Sequence, residues 1–114
     1  MEIKPIPYEL LVHSAVVKGK ESSDVWGNPI PGDDVNLEHV RFEPSSAIKQ
    51  TSNDVSVDYQ SLLFIDTVQS KPKGFRPEKG SEIVFAGHSM YVEKVDPVYA
   101  VDPIIPHHYE VYLT

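Results

Sequence analysis

Five histidines, at positions 13, 39, 88, 107 and 108, are the residues of this chain with the most evident chemical capacity. Neutral imidazole is a common zinc ligand, and two ligands on one element need HxH or HxxxH spacing to meet one ion. His13, His39 and His88 stand in three separate segments. His107 and His108 are adjacent, and neighbours on a strand point to opposite faces, so this spacing predicts no shared ion. The expectation is no metal and no cofactor. Asp33-Asp34 is a carboxylate pair of the kind used in acid–base catalysis. It lies among turn formers, however, where acids cap turns through local hydrogen bonds. Ser22-Ser23, Ser45-Ser46 and Ser89 lack the GxSxG setting of an activated nucleophile, and there is no GxxxxGK[ST] or GxGxxG phosphate cradle. The absence of cysteine removes disulfides, thiolate ligands and a thiol nucleophile. Lys71, Lys73, Arg76 and Lys79 form one local basic loop, which solvation alone explains. No catalytic residue is expected, and the chain reads as a protein that is not an enzyme.

The elements that would position these residues are strands. Val and Ile dominate the apolar set, and ten prolines divide the 114 residues into short segments. No window carries apolar residues at helical spacing over three turns. The stretch Gly80–Asp96, GSEIVFAGHSMYVEKVD, organises the rest. β-Branched and aromatic residues fill two arms around Gly87-His88-Ser89, which predicts a hairpin with Ile83 and Phe85 on one face of its first arm. Tyr91, Glu93 and Val95 share a face of the second arm. A lone hairpin is marginal in water, so other strands must cover it. Tyr8–Lys18 reads as a first strand and Val35–Glu43 as a second, with Val40 and Phe42 inward and Pro44 as its end. Val55–Val68 reads as a third, with a bend near Gln60-Ser61 that could split it in two. His107–Thr114 is the last, with Tyr109, Val111 and Leu113 facing one way. Pro97–Pro106 is an edge segment or covering loop, and Phe75 is expected to plug back onto the core. The sum is a mostly β fold: one domain over residues 1–114, a small antiparallel β-barrel of about six strands with long loops.

Two of those loops are unusual. Residues 19–34 are long and rich in turn formers, yet they hold Trp26, the single tryptophan, with Val25 and Ile30 nearby. Trp26 is expected either to cap one end of the barrel or to pack into a neighbouring subunit. Val98, Tyr99, Ile104 and Ile105 give PVYAVDPIIP the same partner-seeking character. Residues 45–54 are polar, with Ile48 as their apolar anchor. A net charge of −7 opposes sequence-independent DNA binding, which needs a basic stripe, but lets a polyanion slide past without being gripped. No signal peptide and no apolar run near membrane-spanning length is read, so a soluble protein made in a reducing cytoplasm, with no membrane partner, is expected.

The ordered pieces DVWGNPI near Asp24, VRFEPSS over Val40–Ser46, SLLFIDTVQSKP over Ser61–Pro72, KGSEIVFAGHSMYVEKVDPVY and the terminal PHHYEVYL carry a resemblance over most of the chain, from Ile6 to Leu113. Together they resemble the minor capsid protein family of tailed bacteriophages and prophages. That resemblance implies a head-completion protein, the stopper of the head-to-tail connector, in the neck of the virion. It would assemble as a ring homo-oligomer beneath the portal and adaptor proteins and close the DNA exit channel. It would also dock the tail proteins, with genomic DNA passing through without sequence-specific binding. By position it places the gating loop at Ser46, Ala47, Ile48, Lys49, Gln50, Thr51, Ser52, Asn53 and Asp54. Two other readings compete: a tail-completion protein of the same neck region, and a small barrel that binds a ligand in a groove beside Tyr91, Tyr99 and Tyr109.

Overall fold

The computed structural model describes residues 4–51 and 54–114, with side chains for 4–44 and 61–114. Among the described residues eight strands run in the order β1 (His13–Val17), β2 (Ser22–Ser23), β3 (Pro29–Ile30), β4 (Val35–Thr51), β5 (Asp54–Asp66), β6 (Glu82–Phe85), β7 (His88–Val98) and β8 (His108–Leu113). Six of them close into a barrel in the order β1-β4-β5-β8-β7-β6, and β2 and β3 form a separate two-stranded sheet. Every barrel pairing is antiparallel, and Val16 opposite Val84 with Val17 opposite Ile83 completes the ring. Closure removes the free edges of the sheet except where β4 runs on past Val40, beyond its pairing with β1.

The core follows from period-2 alternation. Leu63 and Ile65 of β5, Val111 and Leu113 of β8, Ile83 of β6 and Val92 of β7 are all buried. Val35, Phe75, Phe85, Val95 and Tyr109 pack against this set, so Phe75 of the basic loop does plug the barrel. The central hairpin forms with its turn one residue earlier than the pattern indicates. Ala86 (φ 51) and Gly87 (φ 80) are its central pair, and two positive φ values suit a tight, right-twisted hairpin.

Bulges explain where strict alternation misplaces residues. On β7 the register shifts between Val92 and Lys94, so Val92 and Val95 are the inward pair and Tyr91 stays exposed. Tyr91, Glu93 and Val95 therefore do not share a face. On β4, His39 adopts φ 56, which moves the inward phase from Leu37 to Val40. The Tyr8 hydroxyl lies 3.0 Å from His39 Nε2, outside the barrel, and the Ser70 hydroxyl donates to the His39 carbonyl at 2.5 Å. At the start of the chain, Tyr8–Leu10 forms a 3₁₀ turn rather than strand, and Leu11 rather than Leu10 enters the core.

Pro44 does not end its strand. β4 continues through it to Thr51 and β5 begins at Asp54, so most of the stretch expected to be a loop is a two-stranded ribbon. Its ladder pairs Pro44 with Ser61, Ala47 with Tyr59, Ile48 with Val57, Gln50 with Val55 and Thr51 with Asp54. Proline is tolerated because the other edge of β4 has no partner there and the register shifts just beyond it. β5 is one strand from Asp54 to Asp66, without a break at Gln60-Ser61. Among the described residues no third strand pairs with the ribbon past Ser61, where β8 stops. The radius of gyration, 16.1 Å, exceeds the roughly 13 Å of a compact domain this long, as projecting arms require.

Candidate assembly surfaces

The first arm is built by glycine and aspartate. Residues 19–34 leave the barrel and return through crossing backbones: a Cβ on Gly19 would lie 2.3 Å from the Gly32 carbonyl carbon, and one on Gly32 would lie 2.2 Å from the Lys20 carbonyl oxygen. Only glycine fits at that crossing. Asp34 pins the stem, accepting from the Gly19 N–H at 3.0 Å and from Lys18 at 3.1 Å. At the tip Asp24 Oδ1 accepts from the N–H groups of Trp26 (2.8 Å) and Asn28 (2.9 Å), and Gly27 (φ 81) closes the turn. The expected long loop is thus an ordered β2–β3 hairpin. It does not cap the barrel: Trp26 is 84% and Val25 92% exposed. Gly32→Ala should force the stem apart and cost about 2–4 kcal/mol by a backbone clash. Thermal unfolding checks the loss, with Gly27→Ala, which meets no neighbouring atom, as the smaller comparison.

The tip is also acid-sensitive. The Asn28 N–H hydrogen bond, above all, lowers the Asp24 carboxyl below its ordinary value, and the Gly19 N–H does the same for Asp34. A depressed acid favours the folded arm at pH values above the unfolded carboxyl range, and this advantage disappears as pH falls through the lowered value. Trp26 quenching by acrylamide should therefore be constant near neutrality and change only below about pH 4, where free aspartate takes up a proton.

The second surface lies where β7 hands over to β8. Tyr99 (51%), Ile104 (82%) and Ile105 (60%) are exposed, while Val98 is half-buried within the β7–β8 ladder opposite His108. Asp102 Oδ1 accepts from the N–H groups of Ile104 (2.8 Å) and Ile105 (3.1 Å), which fixes this turn and lowers the Asp102 carboxyl. Beside it an open cavity of about 600 Å³ is lined by Pro5, Val68, Val101, Ile105 and their neighbours. Sequence spacing does not disclose this cavity, because its walls come from three distant segments. One signal was available: Asp66, followed by Thr67-Val68-Gln69-Ser70, has the form of a capped turn. Asp66 is fully buried; its Oδ2 accepts from Val68 N–H (2.9 Å) and Gln69 N–H (2.8 Å), and its Oδ1 from Ile6 N–H (3.0 Å). The lead-in strap and the cavity floor are thereby tied to the end of β5.

The third surface is the β4–β5 ribbon. Ser46, Ala47, Ile48, Lys49, Gln50 and Thr51 belong to β4 and Asp54 opens β5, so these positions form strand rather than loop; Ser52 and Asn53 lie outside the described residues. The aromatic groove does not form as drawn. Tyr91, near the start of β7, and Tyr99, just past its end, are both exposed, and Tyr109 packs against the core with Arg76 over its ring at 5.7 Å.

The histidine pair corrects a second expectation. His107 precedes β8, so strand alternation does not apply to it, and the two Nδ1 atoms lie 2.8 Å apart. The Lys4 carbonyl, 2.7 Å from His107 Nε2, can only accept, so His107 Nε2–H donates to it. Glu110 stands 3.5 Å from His108 Nε2. His13 Nδ1 separately accepts the Phe42 N–H at 3.0 Å. Among the described residues no three metal-ligating side chains gather, and no helix is long and apolar enough to cross a membrane.

These surfaces present exposed apolar side chains on the β2–β3 tip and around an open, largely apolar cavity. Neither the curated proteins nor the solved structures contain a match to the chain. The family described as "Minor capsid protein" matches residues 7–113, which takes in the whole barrel and both arms. The chain belongs to the minor capsid protein family, structural components of the virion.

Proposed function

We propose that this protein is the stopper-type component of a head-to-tail connector. It assembles as a ring beneath the portal and adaptor, closes the DNA exit channel after packaging and presents the surface on which the tail docks. One observation carries the reading: the closed barrel buries its own core, while its three most exposed large apolar side chains, Val25, Trp26 and Ile104, stand on the β2–β3 tip and on the turn beside the cavity. Trp26 and Val25, 84% and 92% exposed side by side on a pinned turn, form an apolar patch of the kind that a partner covers. The net charge of −7 suits a wall along which DNA moves without being held. Family membership supports the structural role, and the β4–β5 ribbon is the element long enough to reach into a channel. Eight residues from Pro44 to Thr51 span roughly 25 Å at strand rise.

Mixing the purified protein with an isolated portal–adaptor assembly tests this. Added ring density beneath the adaptor, seen by electron microscopy, is the expected result. Binding only to completed tails would instead assign the protein to tail completion, and binding to neither would remove the connector reading.

A further inference from the structure

One molecule carries a convex apolar tip and a concave apolar cavity that it does not bring together. Trp26 is not among the residues lining the cavity, and the tip's conformation is already fixed by Asp24. We propose that Trp26 of one copy seats in the cavity of the next, between Val68, Val101 and Ile105, as the repeating head-to-tail contact of the ring. This inference rests on the ring reading and names the contact within it.

Three observations favour a second copy as the occupant. The first is size: about 600 Å³ lies within the roughly 300–1,000 Å³ of pockets that enclose a small ligand, enough for an indole with Val25 beside it. The second is polarity. An indole brings a broad apolar ring and one N–H that needs an acceptor when buried. The cavity offers apolar walls and one carboxylate, Asp102, whose Oδ1 is engaged by backbone while Oδ2 has no partner among the described residues. The third is the arithmetic of area. A buried tryptophan contributes roughly 150–250 Å², and with Val25 the contact remains well under the about 1,200 Å² of a stable interface. Such a contact does not hold free pairs together. It forms where a preceding ring sets copies side by side and raises their effective concentration. A knob and a socket on different elements of one chain allow a heterologous, head-to-tail interface, which closes into a ring where the rotation between copies permits.

The absence of cysteine and the single tryptophan make the test clean. A chain carrying both Val25→Cys and Val101→Cys, two exposed sites, is assembled on the portal–adaptor and oxidised. A ladder of cross-linked multimers is expected, with none from Val25→Cys paired with Lys79→Cys. In the unmodified protein, ring formation should shift Trp26 emission to shorter wavelength and shield it from acrylamide. Trp26→Ala should weaken ring formation by roughly thirty-fold, and Trp26→Phe by less, because it keeps one aromatic ring while losing the pyrrole half of the indole and its N–H donor. A ring that forms with Trp26 still quenchable and the Val25–Val101 pair unlinked overturns this contact and leaves the ring intact. Shielding that appears only when tail proteins are added overturns it in favour of a tail partner. If no ring forms on the portal–adaptor, both the contact and the connector reading fall.

Discussion

Asp66→Ala is expected to lower the stability of the protein by about 3–5 kcal/mol. The carboxylate is fully buried and accepts three backbone N–H groups, from Ile6, Val68 and Gln69. Hydrogen bonds to a charged group each contribute about 1.5–3 kcal/mol, and truncation leaves the donors without partners in a place water reaches poorly. Ser70 donates to the His39 carbonyl and accepts from Asp66 N–H at 2.9 Å, so the same cluster also holds the positive-φ bulge of β4. Asp66→Asn keeps the shape and one acceptor and should lose less, about half as much. Denaturant unfolding of the three proteins checks the order. Equal stability of all three would mean that the strap and the cavity floor are held by something other than this carboxylate.

The second large effect concerns function and should leave stability nearly unchanged. Excising residues 47–59 and joining Ser46 to Gln60 through Asn-Gly should shorten the β4–β5 ribbon while keeping the barrel strands paired. Isolated two-stranded ribbons contribute little to folding, so unfolding free energy should change by no more than about 1 kcal/mol. If the ribbon closes the channel, heads carrying the shortened protein should lose packaged DNA and infectious particles should fall to background. Normal DNA retention with a shortened ribbon would show that some other segment closes the channel.

The barrel was legible in the sequence because its strongest signals are local. Alternation through Tyr109, Val111 and Leu113, and the two arms around Gly87, follow from the period of a pleated strand. What the pattern missed depends on the backbone. His39 and Glu93 sit at bulges, where one residue shifts the inward phase, and no side-chain type announces that. Pro44 reads as a strand end because proline lacks an N–H, but the open edge of β4 requires none there. The exposed apolar groups of the Trp26 tip and the Tyr99–Ile105 turn were visible as apolar residues stranded among turn formers. The cavity was not, since Pro5, Val68 and Val101 meet only after the barrel closes. Contact between His107 and His108 was hidden by an element boundary one residue from where alternation placed it.

The connector reading makes a direct demand on the particle itself. Cryo-electron microscopy of the neck of intact virions should show a ring of this barrel between the adaptor and the tail. Its β4–β5 ribbons should point toward the channel axis, and its Trp26 hairpins should lie against neighbouring copies. Finding the protein distributed over the capsid shell, with no copy at the neck, would contradict the account.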